Sequence, residues 1–174
     1  MELRDRELLL RLPTLTDVPA VADACQDSDL SRFIPGIPSP YTERDARAWI
    51  ESRQRLDDTA TFLIVDADSD ELYGAVEVRL GETGSIGYWV APAARGRGIA
   101  TRATRLLATW AVQERGVERL ELTTHPDNVA SQRVAEKAGF AREGTLRSHT
   151  RFAEGRRDSV MFSLLPSDLE SGGA

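Results

Sequence analysis

Two glycines one residue apart sit between arginines in Arg95-Gly96-Arg97-Gly98-Ile99-Ala100, after a strand pattern that Pro92 ends and before a helix pattern. A Gly-x-Gly alternation permits a turn whose successive backbone N–H groups point into one concavity. A helix starting there adds its own unpaired amides and the positive end of its dipole. Such a corner holds a pyrophosphate without metal or lysine, mainly by backbone, with Arg95 and Arg97 adding charge. Competing readings stand beside this one. A P-loop requires Lys then Ser or Thr after its last glycine, and Ile99-Ala100 stands there instead. A dinucleotide fingerprint wants a third glycine where Thr101 stands and belongs on the first strand of a βαβ unit. A plain helix start with two glycines for tight packing needs no ligand at all.

Proton-transfer candidates are few. Glu77 alternates with Val76, Val78 and Leu80, so it leaves the apolar face of its strand and is a candidate base facing a cleft, or simply an exposed strand glutamate. His125, beside Pro126 and Asp127, is a second candidate because its ordinary pKa lies near neutrality; a solvent-facing turn histidine is the alternative. His149 is the other histidine. Two isolated histidines and one cysteine supply no metal site. Cys25 lies on an apolar helix stripe and reads as packing rather than as a nucleophile.

The elements that position these groups follow from periodicity. Leu8 to Leu12 reads as a first strand, and Thr16 caps a helix with Val18, Val21, Ala22 and Cys25 on one face. Residues 33–41, punctuated by Pro and Gly, read as a loop. Thr42 opens a second helix with Asp45 in a capping-box position and Ala46, Trp49 and Ile50 as its stripe. Thr61 to Ala67 and Leu72 to Leu80 read as a hairpin, and Ser85 to Val90 as a further strand. A helix runs from Gly98 to Arg115 and stops at Gly116; Val117 to Thr124 is a strand. Asn128 caps a helix that ends at Gly139, and two strands follow, the last over Val160 to Leu165. The order β-α-α-β-β-β-α-β-α-β-β predicts a mixed sheet flanked by helices, an α/β (α+β) fold.

The chain has 174 residues, 41% hydrophobic and 29% charged, the size and balance of one globular domain. The domain is expected to span residues 1–174, with a core over 7–166 and a frayed tail, Ser171-Gly172-Gly173-Ala174. With 22 basic and 28 acidic residues the formal charge is −6, which disfavours nucleic acid as a partner. No apolar run suits a bilayer, no signal peptide opens the chain, and a single cysteine fits a reducing cytoplasm.

The Arg-x-x-Gly-x-Ala arrangement resembles the acyl-CoA pyrophosphate loop of the GNAT N-acetyltransferase superfamily. The second element of that superfamily has a counterpart one helix and one strand later, in Asn128 to Phe140. Gly87-Tyr88-Trp89-Val90 before the loop, Glu143-Gly144 with Arg147, and Gly155 to Asp158 resemble the RimJ/RimL-type branch. The resemblance implies a mostly antiparallel sheet of about seven strands with about four helices. The strands ending near Val90 and starting near Val117 would splay to form an acyl-CoA cleft. On that likeness the backbone around Val90 binds the pantetheine arm, and Arg95, Gly96, Arg97, Gly98, Ile99, Ala100 and Thr101 hold the pyrophosphate. Asn128 lines the cofactor side, Ser131 points at the sulfur as the acid, and Arg133 approaches the adenosine phosphate. Ser131 also fits plain helix capping. Where relatives carry Glu this chain has Arg102, so no role of that Glu transfers.

The implied activity is acetyl transfer from acetyl-CoA, without metal, to a primary amine by direct attack on the thioester. The acceptor is a protein N-terminus or a small molecule such as an antibiotic, polyamine or amino-acid derivative. A non-catalytic acyl-CoA-binding module is the alternative of a different class. Relatives' habits allow a monomer or a homodimer.

Overall fold

The computed structural model describes residues 1–54 and 57–171. Among these, eight strands and six helices form. The strands are β1 (Glu2–Asp5), β2 (Leu8–Arg11), β3 (Thr59–Asp66), β4 (Leu72–Arg79), β5 (Gly84–Val90), β6 (Leu120–Thr124), β7 (Ala141–Phe152) and β8 (Gly155–Leu164). The helices are α1 (Val18–Ala24), α2 (Ser28–Phe33), α3 (Glu43–Arg53), α4 (Ile99–Arg115), α5 (Val129–Ala138) and α6 (Pro166–Ser171). Of the expected frayed tail, Ser171 closes α6, and residues 172–174 lie outside the described residues.

One sheet holds all eight strands in the order β1-β2-β3-β4-β5-β6-β8-β7. Every neighbouring pair is antiparallel except β5 and β6. Alternation along the strands divides the apolar residues between two faces. Val76, Val78, Ile86, Leu120, Leu122 and Phe162 pack beneath Ala103, Leu107 and Ala111 of α4 and Ala135 of α5. Leu63, Val65 and Ala75 pack on the other face beneath Val21 of α1 and Ala46 and Ile50 of α3. Each fully buried aliphatic side chain of this kind stabilises the fold by about 1.5–3 kcal/mol before the cost of ordering the chain.

Most elements fall where periodicity predicts. Thr42 and Asp45 make the expected capping box at α3, with the Thr42 N–H donating to Asp45 Oδ2 at 2.9 Å. The first helix departs from expectation. Its N-cap is Asp17 rather than Thr16, and Thr14 caps a 3-10 turn that leads into α1, the Thr14 N–H donating to Asp17 Oδ2 at 2.7 Å. Asp17 is held for this task by the Arg11 guanidinium, 2.7 Å away. Three elements were not predicted. β1 is charged and half exposed, and takes its order from pairing with β2. α2, at six residues, and α6 are too short to carry a helical period.

The feature that matters for function is the parallel pair. Gly84 lies opposite Leu120 and Ser85 opposite Glu121, with the Gly84 N–H donating to the Arg119 carbonyl at 2.9 Å. Beyond those two pairs, β5 runs on to Val90 and β6 to Thr124 without pairing. The sheet therefore opens between them, as the resemblance implied. β4 holds β5 in place on the far side of this opening, where Gly74 lies opposite Val90. A Cβ on Gly74 would fall 2.1 Å from the Trp89 carbonyl oxygen and 2.9 Å from Val90 Cα, both backbone atoms. Gly74→Ala is therefore expected to force β4 and β5 apart and to lower stability by about 2–4 kcal/mol in urea titration.

Candidate active site

On its β5 side the opening is lined by peptide groups turned away from β4. The Ala91 N–H donates to the Tyr73 carbonyl at 2.8 Å, which makes Tyr73 and Ala91 a hydrogen-bonded pair of the antiparallel ladder. Bonded pairs alternate with non-bonded ones, so at Gly74–Val90 and Val76–Tyr88 the peptide groups of β5 turn away from β4. The N–H and C=O groups of Tyr88 and Val90 thus face the side that β6 has left. The Val90 carbonyl accepts from Arg95 Nε at 3.3 Å.

At the mouth of the opening stands the Gly-x-Gly corner. Gly96 and Gly98 adopt φ +74° and +73°, a left-handed backbone that strains other residues. Gly98 is the N-cap of the 17-residue α4 and offers its first turn no side chain. The amides of Gly98, Ile99, Ala100 and Thr101 find no acceptor among the described residues. Four free donors at the positive end of a long helix make a site for an anion. A Cβ built on Gly96 or Gly98 would meet no atom within 4 Å, so the corner is open.

The arginines are held away from it. Arg95 pairs with the Asp27 carboxylate, the side-chain cap of α2, and lies 3.5 Å from Asp29. Arg97 donates to the Tyr73 hydroxyl at 3.2 Å, with its guanidinium 4.7 Å from that ring's centre. Arg102 bonds Asp5 in β1 through its carboxylate, at 2.9 Å, and its carbonyl. Each guanidinium is engaged elsewhere, so the grip the corner offers is the backbone's.

The second helix at the opening is α5. Asn128 Oδ1 accepts from the Ser131 N–H at 3.1 Å, and Ser131 Oγ lies 2.7 Å from the Tyr88 hydroxyl. Ser131 thus satisfies the cap with its backbone and keeps its hydroxyl for Tyr88 on the opposite bank. Burial pushes the Tyr88 phenol up to about 12, and the bond to Ser131 partly counters this. Sequence reasoning missed Tyr88 as a functional residue, although alternation with Ile86 and Val90 already put it on their side of β5. Arg133 is exposed, further along α5.

Glu77 belongs to the other face of the sheet. Its Oε2 lies 2.9 Å from Arg53 Nε, an ion pair in which the N–H is not aimed at the oxygen, and accepts from Thr61 Oγ1 at 3.3 Å. Trp49 and Trp89 meet edge to face nearby, with centres 6.5 Å apart. His125 is packed between Phe33 and Phe152, at 5.7 and 6.3 Å between ring centres. Its Nδ1 accepts from the Asp127 N–H at 3.1 Å. His149 is exposed on β7, with its Nδ1 3.2 Å from Ser159 Oγ in β8. Cys25 is buried in the α1–α3 layer, where burial pushes its thiol up to about 12. The structure thus gathers Val90, the 95–101 corner, Asn128 and Ser131 around one opening, and sets Glu77 on the reverse face. No group of side chains among the described residues suits a metal ion, and no described helix is long and apolar enough to cross a membrane.

A sheet opened at one parallel pair, with an amide-lined corner and a second helix start at the opening, defines an acyltransferase of the acetyltransferase (GNAT) kind. Residues 7–141 match the acetyltransferase (GNAT) domain, and the chain belongs to that family. It is an N-acetyltransferase, similar to the uncharacterized N-acetyltransferase YnaD of Bacillus subtilis (strain 168), with 30% identity over 148 residues, 83% of this chain and 85% of that protein. Among solved structures, a GNAT-family acetyltransferase from Bacillus anthracis superposes with a TM-score of 0.85 at 26% identity, over 95% of this chain and 98% of that one. Mycobacterium smegmatis RimJ, solved with a CoA-disulfide, shares the fold with a TM-score of 0.85 at 22% identity, over 93% and 83% of the two chains.

The raised Tyr88 pKa has a pH consequence. Relative to an ordinary phenol at 10.0, the folded protein keeps its proton to about 12, so stability is intact below pH 10 and is lost as pH rises towards 12. Tyr88→Phe is expected to make that alkaline decline shallower in thermal melts recorded across the range.

Proposed function

We propose that this chain transfers an acetyl group from acetyl-CoA to an α-amine, of which a protein N-terminus is the leading case. The observation that carries the donor is the opening between β5 and β6, with the peptide groups of Tyr88 and Val90 turned into it and the free amides of Gly98–Thr101 at its mouth. An amide-bearing arm fits a strand edge of this kind as an added strand would, and a pyrophosphate fits the helix start. The CoA-disulfide held by M. smegmatis RimJ supports the same reading. Residues 95–101 then hold the pyrophosphate, with Arg133 towards the adenosine phosphate, Asn128 on the cofactor side and Val90 along the arm.

Acetyl-CoA supplies the acetyl group as a reactive thioester. The residues supply proton transfer and charge stabilisation. Ser131 is the acid that protonates the departing thiolate, and the hydrogen bond with Tyr88 orients its hydroxyl. The Val90 N–H steadies the negative charge that develops on the carbonyl oxygen. Glu77 receives the amine proton by way of water. Its carboxylate is already engaged by Arg53 and Thr61, and His125 has committed Nδ1 to a backbone amide. A site with so little free base favours an amine that deprotonates readily. At pH 7 about a tenth of an α-amine of pKa near 8 is neutral, against about one in 2,500 for a lysine amine near 10.4.

Thiol release from acetyl-CoA across free-N-terminal peptides, N-blocked lysine peptides and small amines tests this. Turnover with free N-termini is expected; turnover on small amines alone would refute the N-terminal acceptor, and acetyl-CoA binding without turnover on any acceptor would mark a binding module. Ser131→Ala is expected to lower kcat about 10²-fold or more while leaving the acetyl-CoA Kd nearly unchanged. Equal losses in both would make the Ser131 hydroxyl structural only. Gly98→Val, which strains the left-handed corner and thrusts a side chain into its open face, is expected to weaken acetyl-CoA binding at least about tenfold in calorimetry. An unchanged Kd would refute the pyrophosphate assignment.

A further inference from the structure

Thr124 is the last residue of β6, 5% exposed, and its Oγ1 has no hydrogen-bond partner among the described residues. Native interiors leave few buried hydroxyls unpaired, because the lost hydration is not recovered. The strand does not call for this hydroxyl. Thr124 pairs with Val160 of β8 through its backbone, and a valine would pack the position at least as well.

Its location says what the hydroxyl is for. Leu120 and Leu122 are buried on the α4–α5 face of the sheet, so alternation puts Thr124 on that face too. Had the register of Gly84 with Leu120 continued, Thr124 would stand opposite Tyr88. Instead the strands part. Thr124, its unpaired Oγ1 shielded from solvent, then ends β6 on one side of the opening, and Tyr88, joined to Ser131, stands on the other. Thr104, whose Oγ1 is also buried and unpartnered, sits in the body of α4 rather than at the end of a strand that parts from its neighbour.

We propose that Thr124 is a donor-binding residue, its hydroxyl hydrogen-bonding an amide of the extended arm that lies between β5 and β6. This rests on the reading of that opening as the acyl-CoA cleft. A hydroxyl both donates and accepts, so it serves an amide N–H or an amide carbonyl equally. Its short side chain keeps it at the level of the sheet, where the arm runs, while the longer Tyr88 reaches the first turn of α5.

Calorimetric titration of CoA and of acetyl-CoA into wild type, Thr124→Val and Thr124→Ser, with melts of the ligand-free proteins, tests the assignment. Thr124→Val is expected to raise the ligand-free Tm by about 2–4 °C, because an unpaired buried hydroxyl is removed. It should also weaken CoA and acetyl-CoA alike by roughly fivefold, with Thr124→Ser restoring the affinity. If valine is poorly accommodated, Thr124→Ala should show the same loss of affinity. Unchanged CoA binding in the valine and alanine variants, or a loss confined to acetyl-CoA, would overturn the assignment while leaving the cleft intact. A wild-type protein that binds neither molecule would overturn the reading of the cleft and this assignment together.

Discussion

Parallel pairing between β5 and β6 lasts for two residue pairs and then stops, and the site depends on that interruption. A sheet interior normally satisfies every peptide group, because an unpaired N–H or C=O shielded from water is costly. Here the strands are held apart by their other neighbours. β5 is fixed to β4 from Ser85 to Val90, with no side chain at Gly74 to disturb the approach, and β6 is fixed to β8. The peptide groups left over at Tyr88 and Val90 therefore face an opening that an amide-bearing molecule can fill.

Two helix starts converge on the same opening. α4 begins at Gly98 and α5 at Asn128, both on the face that carries the larger core. Their caps differ in kind. α5 has a side-chain cap that satisfies the Ser131 amide and leaves the hydroxyl for Tyr88, whereas α4 has a glycine and leaves four amides free. In a chain of net charge −6, the free donors at this corner are backbone amides rather than guanidinium groups, because Arg95, Arg97 and Arg102 are each engaged by another group.

The reverse face of the opening is spanned by α2. Its start is tied to the corner through Asp27 and Arg95, and Phe33 at its end packs on His125 just beyond β6. Phe152 of the β7–β8 hairpin completes the aromatic contact. A six-residue helix thus links the two halves of the split sheet on the side where Glu77, Trp49 and Trp89 lie. Tyr88 and Ser131 thus meet on one face of the sheet, and Glu77, Trp49 and Trp89 lie on the other.

The sequence by itself determined what depends on neighbours a few residues away: the Gly-x-Gly turn at Gly96 and Gly98, the capping box of α3, the glycine stops of α4 and α5, the alternation of the strands, and hence the family. It could not determine which side chains meet once the sheet is assembled. Tyr88 reaches Ser131 across 43 residues, and Arg95 reaches Asp27 across 68. β1 carries no alternation of its own and α2 no period, since each is ordered by what it packs against. Pairing of that kind is fixed by strand order and by the point at which β5 and β6 separate, and local periodicity is silent on both. The arginines of the motif were legible as charges near a phosphate corner; only the tertiary structure decided that their partners are Asp27, Tyr73 and Asp5, leaving the corner to the backbone.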